Sequence, residues 1–488
     1  MRSFGRALCA FAACSAVTVH AHAQLSDGLP IKTNHYSIDL YQGPVLASTR
    51  VIGLAGAFVA IGEGVEGDTQ NPAAPAVRVP WSNAHFDYDL GFGVTFPATL
   101  SNSDFFNSGR RTDLPKGTTG GFVFLNFATN LQLGKWGFGL TTDLQSYALN
   151  GANDNIPTKD RVVAQITVTH FQLARNFLDG QLVVGVGDRI ATFAVQHENA
   201  FTSNEQDLFS TVGNGYELGL LLRPNNEQFR IGAAYRSEVN SRAAGSTIPE
   251  PVMDLFLPER VTVPWDLDLG LAIQLGPRPL NPRWIDPVEE LERIRRFLHW
   301  RELERDRYRR FELARVESNH GDVDEAARAL DAELVTEAEL DAATLARAEH
   351  DVDVKIRGQV AALERFHVLL LGSLVVTGTA TDAVGVESFL ERTVQRSGAS
   401  LSYSPRIAIE TETVPHWLQL RAGSYLEPSR FPSNRQGSRV HGTLGFDQKL
   451  FPWDVFGTFP ETTQWRVSGS LDAARNYFGW SLAIGVWH

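Results

Sequence analysis

The ionisable side chains of this chain recur at a spacing of two. His85, Asp87 and Asp89 alternate with Phe86, Tyr88 and Leu90. Imidazole and carboxylate are metal-donor types, but no second cluster at metal-site spacing accompanies them. The pattern reads as a wet face backed by an apolar one. Arg230, Arg236 and Glu238 share one face of a later stretch, Asp266 and Asp268 share a face of the next, and Arg421 and Arg439 follow. Charges turned into a barrel pair into a network that holds whatever fills it. One arginine, Arg236 or Arg421, would instead anchor a ligand carboxylate through its planar fork.

Nothing here reads as an enzyme. No Ser sits in a nucleophile elbow, and Gly53-Leu54-Ala55-Gly56 lacks the βαβ frame of a phosphate loop. No cofactor or metal is expected. With a net charge of -12, nucleic acid is not an expected partner. The other side chains that point to binding are apolar. Phe201, Leu208 and Phe209 lie in one connection, and Val252, Met253, Leu255 and Phe256 in another. Loops this apolar mark either a ligand-entry groove or two halves of a lid that pack on each other.

The elements that position these residues follow from pattern. Residues 1–23 read as a secretory leader: Arg2 and Arg6, an apolar run from Ala7 to Val19, then Ala21-His22-Ala23. Both cysteines, Cys9 and Cys14, fall inside it, so disulfides are not expected. Residues 24–80 show no period of two. Rich in Gly and Ala, they read as a plug, with Gly53, Gly56, Asn71, Pro72 and Ala73 as its marked positions. From Trp81 on, about 14 alternating segments appear, each near the ~9–11 residues of a tilted membrane strand or somewhat longer. They fall at 81–96, 118–131, 135–149, 160–177, 181–196, 213–223, 228–242 and 260–276, and at 366–380, 398–412, 416–428, 438–450, 464–474 and 477–488. The segment Val261–Leu275 is the strongest, with eight apolar residues on one face and Asp266 and Asp268 on the other. Connections mostly alternate short and long, as in an outer-membrane barrel with short periplasmic turns, except that 451–463 is long on the periplasmic side and Arg475-Asn476 short on the outer side. An even strand count places both ends in the periplasm. The barrel is thus expected over 81–276 (strands 1–8) and 366–488 (strands 9–14).

Residues 277–365 break the pattern. They read as charged helices, one from about 283, a second from Asp324 to Leu334 and a third from Glu337 to Val354. Strand parity hangs this block in the periplasm. It is either a solvated hairpin without a partner or a docking site for an envelope protein.

The small-residue run from Ser48 to Ala73, closing on Asn71-Pro72-Ala73, resembles the N-terminal hatch of the FadL-type outer-membrane transporters of hydrophobic compounds. Ile231-Gly232-Ala233-Ala234-Tyr235-Arg236-Ser237-Glu238-Val239, Leu257-Pro258-Glu259-Arg260-Val261 and Leu420-Arg421-Ala422-Gly423-Ser424-Tyr425 resemble family segments in family order. The resemblance implies an all-β, 14-stranded outer-membrane barrel with a hatch. It implies passive uptake of long-chain fatty acids or aromatic hydrocarbons through an apolar outer groove, a pocket beside the hatch and a lateral exit. The expected partners are outer-membrane lipids and a hydrophobic ligand. The helical block lies outside the family pattern, and it leaves open a scaffold or shuttle in protein secretion or envelope assembly.

Overall fold

The computed structural model describes residues 26–97, 99, 103–109, 122–150, 160–199, 205–243, 256–452 and 463–487. Phe201, Val252, Met253 and Leu255 lie outside these. The described chain opens with a three-residue strand, β1 (Ser37–Asp39), and two helical turns, α1 (Thr49–Gly53) and α2 (Gly64–Gly67). Seven wall strands follow: β2 (Phe86–Phe96), β3 (Phe122–Leu133), β4 (Trp136–Asn150), β5 (Asp160–Phe177), β6 (Leu182–Asn199), β7 (Glu205–Leu222) and β8 (Phe229–Arg236). Then come β9 (Val239–Arg242), β10 (Arg260–Val263) and β11 (Asp266–Leu275), and two long helices, α3 (Pro287–Ser318) and α4 (Val323–Ala361). The rest is β12 (Val368–Thr377), β13 (Ala383–Gly385), α5 (Val386–Leu390), β14 (Arg396–Ser397), β15 (Ser402–Val414), β16 (Leu418–Glu427), β17 (Arg439–Pro452), β18 (Gln464–Ala474) and β19 (Tyr477–Val486).

Strands β2–β8, β11, β12 and β15–β19 close one antiparallel barrel of fourteen strands, sealed where β8 pairs with β11. The alternation in the sequence is the alternation of the wall. On β11, Leu269, Leu271, Ile273 and Leu275 are exposed, while Asp268, Ala272 and Gln274 are buried. Phe92, Phe127, Phe138, Ile407 and Leu444 continue the exposed apolar face around the barrel. Such a continuous belt is the surface of a wall that faces lipid.

Two expected strands do not run through. The stretches 228–242 and 260–276 both leave the wall at one level, where Arg236 pairs with Asp266. Pro264 supplies no N–H to continue the ladder. Ser237 turns its backbone N–H and its Oγ onto Tyr216 of β7 instead. Beyond the break, β9 and β10 stay paired with each other and swing inward.

There they join a second sheet, ordered β14-β13-β1-β10-β9, in which β1 runs parallel to both β10 and β13. This sheet roofs the barrel at its long-connection end. Ile38, Val261, Val384 and Phe389 from the roof pack in one buried cluster with Phe193 and Phe209 from the wall. The expectation that 24–80 is a single plug, with the start of the chain at the short-turn end, is therefore corrected. Residues 28–31 lie beside Arg392–Val394 at the long-connection end, and only the later part descends into the lumen.

The helical block sits at the end of the short turns: Lys135 pairs with Glu289 at 2.8 Å, and the N–H of Asn226 bonds to the Asn281 carbonyl. It has two helices where three were expected, because nothing around Val335-Thr336 breaks the pattern. Asp286 and Asp322 cap them by accepting from Val288 N and from Asp324 N and Glu325 N. At 1.5 Å per residue the helices are roughly 48 and 58 Å long. Arginine–carboxylate pairs, Arg295–Glu349, Arg301–Asp341 and Arg309–Asp331, hold them together.

Candidate functional site

The lumen is built around the seat of the hatch. Asn71 is fully buried; its Nδ2 donates to the carbonyls of Val59 (2.8 Å) and Leu220 (3.2 Å), and its Oδ1 accepts from Ala73 N. Pro72 and Ala73 press their backbone on the wall at Gly185 and Gly219. A Cβ on Gly185 would sit 1.9 Å from the Pro72 carbonyl oxygen, and one on Gly219 would sit 2.3 Å from Asn71 Oδ1. Gly137 and Gly232 receive Pro75 and Val59 in the same way. Gly53 rests on Arg421 and Gly445, and Gly56, at φ +74°, on Arg406. Wall glycines are pads for the hatch backbone, a role that an alternating pattern hides because glycine fits either face.

Inward charges bind hatch to wall. Arg230 pairs with Glu63 at 2.6 Å and donates to the carbonyls of Ile61 and Leu280 and to Asn281 Oδ1. Burial pushes the Glu63 carboxyl up, but Arg230, Arg50 and Arg223 outweigh it and hold it below its ordinary range. Arg236 pairs with Asp266 and donates to the carbonyls of Thr69 and Gln70. Arg421 lies buried between Glu410 (3.1 Å) and Asp447 (2.6 Å), and Arg50 of the hatch meets Glu410 at 2.6 Å. Arg439 pairs with Glu427 and ties down the carbonyls of Asp104 and Phe105. Glu238 does not join this network. It is exposed beyond the end of β8 and accepts from Asn240. The parity that aligned it with Arg236 holds only in an unbroken strand.

His85, Asp87 and Asp89 fan apart. His85 bonds to Asp286 at 2.9 Å, Asp87 lies 4.0 Å from Arg78, and Asp89 accepts from Val65 N of the hatch. Among the described residues no group of three or more His, Cys, Asp or Glu is arranged to hold a metal.

Beside the hatch a cavity of ≈ 240 Å³ remains, between Thr69-Gln70, the segment 40–46 and the walls of β3–β6, β11, β12 and β15. One side is apolar: Phe124, Ile166, Val168, Val263 and Leu46. The other is polar and richer in free donors than in free acceptors. Gln145 Nε2, Arg189 Nε and Arg406 Nε lack partners, and Asp268 Oδ1 is the matching acceptor. Neither Arg236 nor Arg421 is available to a ligand, since protein acceptors surround both. Arg406 is the better placed cation; among the described residues its one hydrogen bond runs to the Gly56 carbonyl at 3.1 Å. Position 406 escaped sequence reasoning because its strand shows no other charge on that face until Glu410.

The apolar loop residues stand elsewhere than expected. Leu208 and Phe209 belong to β7, which starts at Glu205, and they are buried under the roof. Phe209 meets Phe193 and Phe389 edge-on at 5.7 and 5.5 Å. Phe256 packs against the same cluster, and its carbonyl accepts from Tyr36 Oη.

No family model matches this chain, and no curated protein matches it. Solved structures similar to it include the CymD monoaromatic hydrocarbon channel (10% identity, TM-score 0.44, covering 91% of this chain and 96% of that one). The P. putida toluene transporter TodX is similar at 10% identity and TM-score 0.43, over 93% of this chain and 98% of that one. A Pseudomonas aeruginosa FadL homologue is similar at 9% identity and TM-score 0.42, over 95% and 98%. The architecture of a closed barrel, hatch and roof rests on the strand pairings of this chain itself.

Proposed function

We propose that this chain is a multi-pass protein of a Gram-negative outer membrane and a FadL-like channel for passive uptake of small hydrophobic molecules. The observation that carries the reading is the half-apolar cavity between roof and hatch, inside a wall with an apolar outer belt. A hydrophobic solute crosses such a wall only if it is shielded from water on the way. At ≈ 240 Å³ the cavity exceeds the ~150 Å³ that holds benzene in an engineered core. It suits a single aromatic ring or a short chain better than an extended long-chain fatty acid. Gln145 and Arg406 receive any acceptor the molecule carries.

Entry passes under the roof, whose core takes the place of an open groove. Exit runs sideways at the seam beyond β8 and β11, where β9 and β10 leave the wall. There the β7–β8 ladder ends at Glu217; past the one backbone bond from Ser237 to the Tyr216 carbonyl, Val239 lies over Gly213 and Ser237 over Gly215.

The test is toluene binding to the detergent-solubilised barrel by calorimetry. Val168→Trp fills the apolar side of the cavity and is expected to weaken binding tenfold or more, by about 1.4 kcal/mol. Toluene that fails to bind the parent, or binds Val168→Trp unchanged, overturns the reading. The scaffold reading has one observation in its favour: α3 leaves Phe297, Trp300, Tyr308 and Phe311 exposed.

A further inference from the structure

A second site lies at the other end of the molecule. A cleft of ≈ 720 Å³ separates the short-turn rim from the base of the helical hairpin. Every acid that lines it is already paired: Glu289 with Lys135, Glu290 with Lys355, Glu292 with Arg296, Asp179 with Arg283, and Asp286 with His85. Two of its arginines, Arg223 and Arg293, have no carboxylate within 4 Å among the described residues.

Arg223 is the unusual one. It follows the last residue of β7 and is only 5% exposed, yet its Nε has no partner, and its Nη1 reaches only the Arg78 carbonyl at 3.5 Å. A buried guanidinium with no anion in contact is costly. Burial and the neighbouring Arg230 lower its pKa to about 9 and outweigh Glu63, which lies beyond 4 Å and raises it. Beside it, the Trp284 indole N–H is also buried and unpartnered. Arg78 lies 4.4 Å over the Trp284 ring with its own N–H groups taken by Ser82 Oγ and the carbonyls of Ala84, His85 and Gly134. Trp284, Ile285 and Ile294 give the cleft an apolar side.

We propose that this cleft binds an amphipathic organic carboxylate. The head takes the free N–H groups of Arg223 and Trp284, and the hydrocarbon lies along Trp284, Ile285 and Ile294. A planar carboxylate fits the guanidinium fork, and an acceptor-only head answers a site with surplus donors. The volume falls in the range of small-molecule sites, ~300–1,000 Å³. The helical hairpin thereby gains a part in the channel: it completes a site on the rim that the barrel cannot form alone.

The experiment is calorimetric titration of octanoate into the full chain in non-ionic detergent. It is repeated in the Val168→Trp chain, whose luminal cavity is filled, so that the cleft reports separately from the lumen. Octanoate is expected to bind the Val168→Trp chain. Adding Arg223→Gln should weaken it about tenfold or more, and adding Trp284→Phe about threefold or more. Octanol and inorganic phosphate should each bind at least tenfold more weakly. If Arg223→Gln fails to fold, as judged by circular dichroism, Trp284→Phe, which keeps an aromatic face and removes the indole N–H, decides alone. Octanoate that does not bind, that binds no better than octanol or phosphate, or that ignores these substitutions overturns the proposal. Failure of toluene to bind the lumen leaves it untouched.

Discussion

Arg230, wholly buried in the wall, meets Glu63 of the hatch at 2.6 Å. Three further acceptors surround the same guanidinium, so the pair fastens the hatch at one defined height. Removing one partner of a buried pair costs about 3–5 kcal/mol because the other charge stays buried. Glu63→Gln is expected to cost about 3, since Arg230 keeps its three neutral acceptors. Glu63 titrates lower in the fold than its ordinary 4.5. Its contribution is therefore present above that value and disappears as the pH falls through the folded value. Thermal unfolding should show a large gap between parent and Glu63→Gln at pH 7 and a shrinking gap toward pH 3.

The seat of the hatch is a second place to intervene. Gly185→Ala would put a methyl group 1.9 Å from the Pro72 carbonyl oxygen, and backbone cannot yield as a flexible side chain does. The expected loss is about 1–3 kcal/mol. A loosened hatch should also raise the conductance of the barrel in planar bilayers. Gly180→Ala tests a glycine with open space around it and φ +83°, where strain is local to the turn. It should leave conductance at the parent level.

Asp68 carries the opposite pH signature from Glu63. It is buried at the foot of the hatch, its Oδ2 accepts from Thr141 at 3.3 Å, and its Oδ1 has no partner. Burial raises its carboxyl well above the ordinary 3.8. The favourable contribution of a raised acid is complete below the unfolded value and is lost as the pH rises toward the folded one. Asp68→Asn removes that loss, so the variant should melt above the parent at pH 7 to 8, by an amount equivalent to about 1 kcal/mol or more. Near pH 4 the two should coincide. A variant that melts lower at every pH would show that the carboxylate is wanted ionised.

The wall was legible because its signal is local: one residue in two repeats the same choice between lipid and lumen. The roof was not. β1, β13 and β14 have three, three and two residues, too few to show a period, and Ser37 finds Arg260 and Ala383 across hundreds of intervening residues. The apolar residues Leu208 and Phe209 were visible as unusual, but only the roof explains what buries them. Arg236 and Arg421 pair with inward carboxylates of neighbouring strands. Their availability depended on which carbonyls the hatch brings near, and no spacing rule contains that. Pro264 was the one readable warning that Val261–Leu275 is not a single strand.

The helical hairpin separates the remaining possibilities. Its helices meet the barrel at their base through Lys135–Glu289 and meet the connection before α3 through Gln359 on the Arg283 carbonyl, and the stripe of Phe297, Trp300, Tyr308 and Phe311 lies beyond that base. Exposed surface pairs of this kind add about 0–1 kcal/mol each, so the barrel should not need the hairpin to stand. Replacing residues 287–361 by a short Gly-Ser turn should therefore leave toluene binding and barrel melting close to those of the parent. The same deletion removes Glu289, Arg293, Ile294 and Lys355 from the rim cleft, so octanoate binding in the Val168→Trp background should fall at least tenfold. Loss of toluene binding as well would make the hairpin part of the uptake path. Retention of both would place the carboxylate site on the rim alone.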